Sequence, residues 1–207
     1  MEQTIQRWQS IAGNADLVHF VAGMFHKLVV DVTDRREQFT VVHDGTAVQL
    51  RPGVDGAADF AVAISSFEAD RLADEAQRSP LGEVERFRIV RALFTAATAA
   101  TLKQPRLASP LLRKLMGAES LIHVRLKSPV PEEDDATHTL IYAARQWLVI
   151  LGLHGRAQRR YEMTVDQAAD YQRHVHDVLL HDTPAGWLRF GRWYRQWRPT
   201  VSTTQPA

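Results

Sequence analysis

Four side chains towards the C-terminal end have the types and spacing of a metal site. On a helix expected over 166–180, Asp170, His174, Asp177 and His181 fall within about 60° of one another at 100° per residue. Carboxylate and imidazole are donors that a borderline divalent ion accepts. The opposite side of the same helix carries Tyr171, Val175, Val178 and Leu179, so a solvated polar face accounts for the stripe equally well. A second pair, His43-Asp44, stands at an expected hairpin tip. There the carboxylate would either tune an acid–base imidazole or shape the turn beside an exposed histidine. His19, His26 and His123 occur in apolar segments and read as core histidines before they read as ligands. No Gly-x-Ser-x-Gly elbow, no phosphate-cradling glycine loop and no P-loop is present. Nothing gathers a nucleophile, a base and an orienting group. The sequence reads as non-catalytic and calls for no cofactor. A small enzyme using His174 or His43 on an apolar substrate is the alternative.

A further signal is the stretch 187–198. As a helix it gathers Trp187, Phe190, Trp193, Tyr194 and Trp197 on one half, with Arg189, Arg192, Arg195 and Arg198 on the other. Rings opposite arginines suit a membrane interface, with Arg on anionic lipid. They also suit phosphates and stacked bases, or a helix that docks its rings on the protein body. Lys and Arg total 25 and Asp and Glu 24, a net charge of +1, which argues against a nucleic-acid partner. The 207 residues are 45% hydrophobic and 24% charged and contain no cysteine, so disulfides and thiolate chemistry are excluded. The N-terminus has no apolar core of a secretory signal, and apolar runs such as 147–153 fall far below the ~20 residues that span a bilayer. A soluble, cytoplasmic protein is the expectation.

The elements that must position these residues fall into two similar halves, about 16–104 and 110–198, within one α+β domain ending in a flexible tail at 199–207. Strands are expected at 28–32, 39–42, 48–50 and 60–64, with Asp44-Gly45 as a hairpin turn. Ser65-Ser-Phe-Glu68 has the form of a capping box, a hydroxyl cap answered by an acid three residues on, and opens a helix over 67–77. The second half repeats the order with strands at 121–126, 138–142, 147–151 and 159–163. Thr164-Val-Asp-Gln167 is its second capping box. Between the halves, 83–104 carries Phe87, Val90, Leu93, Phe94 and Ala97 at helical spacing, and Pro105 ends it. A short helix is expected over 110–116, and two more over 166–180 and 185–197.

The first half presents a strand ending in Asp44-Gly45, an alternating strand, and then Ala57-Ala-Asp-Phe-Ala-Val-Ala-Ile-Ser-Ser-Phe-Glu-Ala-Asp70. This pattern, over about 16–126, resembles the sterol carrier protein type 2 family. The resemblance implies a twisted antiparallel sheet covered by helices on one face. It also implies an apolar tunnel between the layers for sterols, fatty acids or other lipids. The family's Gly-Lys pair before a late strand has no counterpart here; a long helix and a second strand set follow instead. The resulting expectation is a binding or carrier protein for a fatty acyl or sterol-like ligand, lined by Val62, Ile64, Phe87, Val90, Phe94 and Ala97. A homodimerising interaction module built on exposed strand edges is the rival reading.

Overall fold

The computed structural model describes residues 3–54, 56–77, 80–104, 121–144, 146–197 and 200–202. The chain forms two compact units, Met1–Ala96 and Ala97–Ala207. The helix expected over 110–116 lies outside the described residues.

The first unit begins with two helices that were not expected, α1 (Gln3–Ile11) and α2 (Ala15–Val21). Ile5, Trp8 and Ile11 put one apolar residue on each turn of α1, and that stripe turns inward. Buried Glu37 caps the helix from a neighbouring strand, accepting from the backbone N–H groups of Thr4 (3.2 Å) and Ile5 (3.0 Å). The Trp8 indole N–H donates to the Ala69 carbonyl at 3.0 Å. Arg7 and Arg35 both hold Asp70, and the Arg35 guanidinium keeps that carboxyl below the usual carboxylate range. α2 starts at Asn14, whose side chain accepts from Asp16 and Leu17.

Four strands follow: β1 (Lys27–Val32), β2 (Glu37–His43), β3 (Val48–Pro52) and β4 (Phe60–Ile64), in the order β3-β2-β1-β4. β1–β2 and β2–β3 are antiparallel, but β1–β4 is parallel. The all-antiparallel sheet expected from sequence is therefore corrected to a mixed one. The meander leaves β3 running in the direction of β1, and residues 53–59 then carry the chain back to where β1 begins. There Asp59 N–H donates to the Lys27 carbonyl at 2.8 Å, while its carboxylate accepts from His26 and Lys27 N–H. β4 must therefore set out alongside β1 in the same sense. Alternation turns Leu28, Val30, Phe39, Val41, Phe60, Val62 and Ile64 to one buried face. α3 (Ser66–Ala76) has the expected capping box between Ser65 and Glu68, and α4 (Glu83–Leu102) follows.

The second unit holds β5 (Leu121–Leu126), β6 (Ala136–Ala143), β7 (Gln146–Leu151), β8 (Arg159–Met163), α5 (Val165–His181), α6 (Pro184–Trp197) and β9 (Thr200–Ser202). Its sheet order is β7-β6-β5-β8-β9, again with one parallel pair, β5–β8. Thr200–Ser202, expected as part of a frayed tail, instead pair antiparallel with the outer edge of β8, where Arg160 and Glu162 face Ser202 and Thr200.

The two units repeat in register, not only in order. Leu28 faces Val41 and Phe60; Ile122 faces Leu140 and Arg159. From β2 onward each position recurs 99 residues later: Gly53 and Gly56, with φ of 72° and 62°, recur as Gly152 and Gly155 at 86° and 69°. β5 follows β1 by only 94, because the Pro- and acid-rich connection before β6 is five residues longer. The Thr164–Gln167 capping box occupies the place of Ser65–Glu68.

Candidate functional site

The site that the first unit builds is an apolar cavity of about 90 Å³ between its sheet and its helices. The sheet contributes Leu28, Val30, Val41, Val48, Leu50, Val62 and Ile64. Trp8 and Ile11 of α1 line it, as do Leu17 and Val21 of α2, Leu72 and Ala76 of α3, and Ile89, Ala92 and Leu93 of α4. Every lining side chain is apolar, and the one N–H among them, on Trp8, is turned away to the Ala69 carbonyl. The walls therefore offer hydrocarbon contact and nothing to ionise, coordinate or attack. A cavity this small is below the ~300–1,000 Å³ of drug-sized pockets, and below the ~150 Å³ apolar cavity that admits benzene. In this conformation it takes a few carbons; a longer ligand needs the helices to give.

Of the six residues expected to line a ligand, Val62 and Ile64 face this cavity. Phe87, Val90, Phe94 and Ala97 are fully buried but are not part of its wall. They lie about 120° around α4 from Ile89, Ala92 and Leu93. The helix is apolar on both of these sides, so periodicity alone does not choose between them. Trp8, Ile11, Leu17 and Val21 escaped the sequence reading together with their helices. The Ile5-Trp8-Ile11 spacing and the Asn14 cap were the signals available.

In the second unit, bulkier residues occupy several of the equivalent positions. Tyr161 stands where the first unit has Val62, Trp147 where it has Val48, Tyr171 for Leu72, Val175 for Ala76 and Met163 for Ile64. The Tyr194 hydroxyl donates to that of Tyr161 at 2.8 Å, and Arg159 donates to the same oxygen at 3.2 Å. Burial pushes the Tyr171 phenol up to about 12 and raises Tyr194 as well. His138, in the place of Phe39, is 1% exposed, and burial lowers it to about 4.

The remaining sequence signals divide. In the His/Asp stripe, Arg173 pairs with Asp170 at 3.0 Å and Arg189 with Asp177 at 3.3 Å. The His174 ring stacks on Trp193 with centroids 4.1 Å apart, its Nδ1 bonded to the Asp170 carbonyl. Among the described residues no group of three potential ligands assembles, and the side chain of His181 lies outside them. His43, expected exposed, is 3% exposed: as the last residue of β2 it points to the helix-covered face. Its Nε2 donates to the Val18 carbonyl (3.0 Å) and its Nδ1 accepts from Gly45 N–H (3.0 Å). Asp44 shapes the turn, and the N–H groups of Thr46 and Ala47, with the Thr46 hydroxyl, lower its carboxyl. His19 and His26 are exposed, contrary to expectation, while His123 is buried against the His154 carbonyl at 3.0 Å. On α6, Trp193 packs on Tyr171, and the Trp187 indole donates to Asp182 at 2.8 Å. Arg189, Arg192 and Arg195 are exposed; the side chain of Trp197 lies outside the described residues. The rings thus dock on their own unit. No helix among the described residues is long and apolar enough to cross a membrane.

No known family matches the sequence, and no curated protein is significantly similar to it. Among solved structures, the chain is similar to sterol carrier protein 2 from Yarrowia lipolytica in its apo form. The TM-score is 0.26 and the identity 15%, over 61% of this chain and 91% of that one. Likeness at that level carries no functional argument.

Proposed function

We propose that the first unit is a non-catalytic binding or carrier module for an apolar ligand of the fatty-acyl or sterol-like class, held between its sheet and helices. The observation that carries this reading is a cavity between sheet and helices, partly open to solvent, whose whole wall is apolar. An apolar wall that no chain group fills leaves hydrocarbon surface for a ligand to cover. Covering that surface would contribute about 25 cal/mol per Å² removed from water. The small present volume favours a single alkyl chain over a rigid ring system, with any polar headgroup left outside. On the same reading the second unit is a degenerate copy of the fold whose ligand space is filled by Tyr161, Trp147 and Tyr171.

The deciding experiment pairs native mass spectrometry and organic extraction of the purified protein with titration of a fluorescent fatty acid. The parent should bind the probe and carry acyl or sterol-like masses. Ala92→Phe, which fills the cavity from α4, should abolish probe binding in a folded protein. Unchanged binding by a folded Ala92→Phe protein would place the ligand elsewhere and end the proposal.

A further inference from the structure

The second unit gathers four of its exposed apolar residues on one strand and the turn after it, whereas Leu180 on α5 and Leu188 on α6 stand singly. Leu148, Ile150, Leu151 and Leu153 are 50%, 38%, 67% and 44% exposed. β7 is an edge strand, and at the register-equivalent outward positions of β3 the first unit has Gln49 and Arg51 where β7 has Leu148 and Ile150. The pleat alone does not require leucine and isoleucine there, since the same fold accepts polar residues at those positions. Paired positions share a face, so the row Ile150–Thr139–His123–Arg160 runs across the side of the sheet opposite α5. Residues 152–158 cross that side, tied by the Thr139 hydroxyl donating to the Gly152 carbonyl at 2.7 Å and accepting from His154 N–H at 2.9 Å. They bring exposed Leu153 and Arg156 onto the same face.

The stretch of chain that builds this patch carries charge of one sign. From Ala136 to Tyr161 there is no Asp or Glu, in a chain whose acids and bases are balanced overall. Exposed Arg156 and Arg160 have no ion pair among the described residues. The acids that bound the stretch are already engaged, Asp135 with Arg125 at 3.7 Å and Glu162 with Lys127 at 2.9 Å. Exposed aliphatic side chains ringed by uncompensated arginines match an anionic lipid surface, with apolar groups entering the acyl boundary and guanidinium groups on headgroup phosphates. We infer that the face of the second sheet opposite α5, centred on Leu148, Ile150 and Leu153 and flanked by Arg156 and Arg160, docks on anionic membrane surfaces. On α6, by contrast, Trp193 packs on Tyr171 and Tyr194 bonds to Tyr161, so these two rings face their own unit. The inference does not depend on the cavity of the first unit being a ligand site.

Co-sedimentation with vesicles of phosphatidylcholine alone, and of phosphatidylcholine with phosphatidylserine, tests it. The parent should bind the anionic vesicles and lose binding as salt rises. Leu148→Gln/Ile150→Gln should weaken binding at least tenfold, and Gln49 shows that glutamine fits such a position. Arg156→Gln and Arg160→Gln should each cost about fivefold. Ala92→Phe, which addresses only the cavity, should bind vesicles as the parent does. Three results would overturn the inference. One is equal binding to both vesicle types; another is full binding by the folded Leu148→Gln/Ile150→Gln protein. The third is a parent dimer that this variant converts to monomer without any vesicle binding, which would assign the patch to a second copy.

Discussion

The Thr40 hydroxyl donates to the Gly53 carbonyl at 2.8 Å, and 99 residues on the Thr139 hydroxyl does the same to Gly152 at 2.7 Å. Both threonines are completely buried, and both glycines turn the chain out of an edge strand with positive φ. This is the point at which each sheet becomes mixed, since the turn launches the crossover that brings the next strand beside the first. An alanine at Gly53 would meet no atom within 4 Å, so its cost is the backbone conformation alone, about 1–2 kcal/mol. At Gly152 the added Cβ also meets His154 Nε2 at 3.2 Å. Urea unfolding should therefore show Gly53→Ala destabilised by about that amount and Gly152→Ala by more. Equal stability of Gly53→Ala and the parent would show that the turn does not need its left-handed residue.

Glu37 fastens α1, and α1 supplies Trp8 and Ile11 to the cavity wall. Glu37→Ala leaves two helix N–H donors without their acceptor and should cost about 1–2 kcal/mol. Because the loss falls on a wall of the cavity, fatty-acid binding should weaken more than global stability does. Hydrogen exchange should locate the new opening at residues 4–8. Exchange spread evenly over the first unit would show that Glu37 acts on the fold as a whole.

His138 gives the second unit an acid sensitivity that begins at the pH of an ordinary histidine. Its folded value of about 4 lies below the 6.5 of an unfolded histidine, so the unfolded state takes up a proton first. The stability tied to its neutral form is intact above pH 6.5 and is lost as pH falls towards 4. The loss is about 3 kcal/mol at ~1.4 kcal/mol per pKa unit. At the equivalent position the first unit has Phe39. His138→Phe should flatten the pH dependence of unfolding between pH 6.5 and 4, and a variant that keeps the parent's slope would assign the acid lability to another group.

Strand positions and both capping boxes are legible in the sequence because their signals are local: alternation, Asp44-Gly45, and a hydroxyl answered by Glu68 or Gln167 three residues on. Strand direction is not local. Nothing in Phe60–Ile64 says that β4 runs parallel to β1; the bonds of Asp59 to His26 and Lys27 decide it. The cavity was half legible for a similar reason. Val62 and Ile64 follow from the pleat, whereas α4 is apolar both on the side of Phe87, Val90 and Phe94 and on the side of Ile89, Ala92 and Leu93. His43 was misplaced because a turn-flanking residue can be the last of its strand and point inward. Only its bonds to Val18 and Gly45 show that it does.

Leu93 separates a binding cavity from a packing defect. Leu93→Ala should enlarge the void and cost about 2–5 kcal/mol, the range for a leucine truncated in a core. If the cavity takes alkyl chains, a ligand at a hundred times its Kd should return about 2.7 kcal/mol to whichever form binds it. Thermal melts of the parent and of Leu93→Ala, each with and without a saturating fatty acid, measure this directly. The expected pattern is a rise in Tm for both, larger for Leu93→Ala, where more of the chain can be removed from water. A packing defect has no such linkage: the variant would melt lower and the fatty acid would move neither curve.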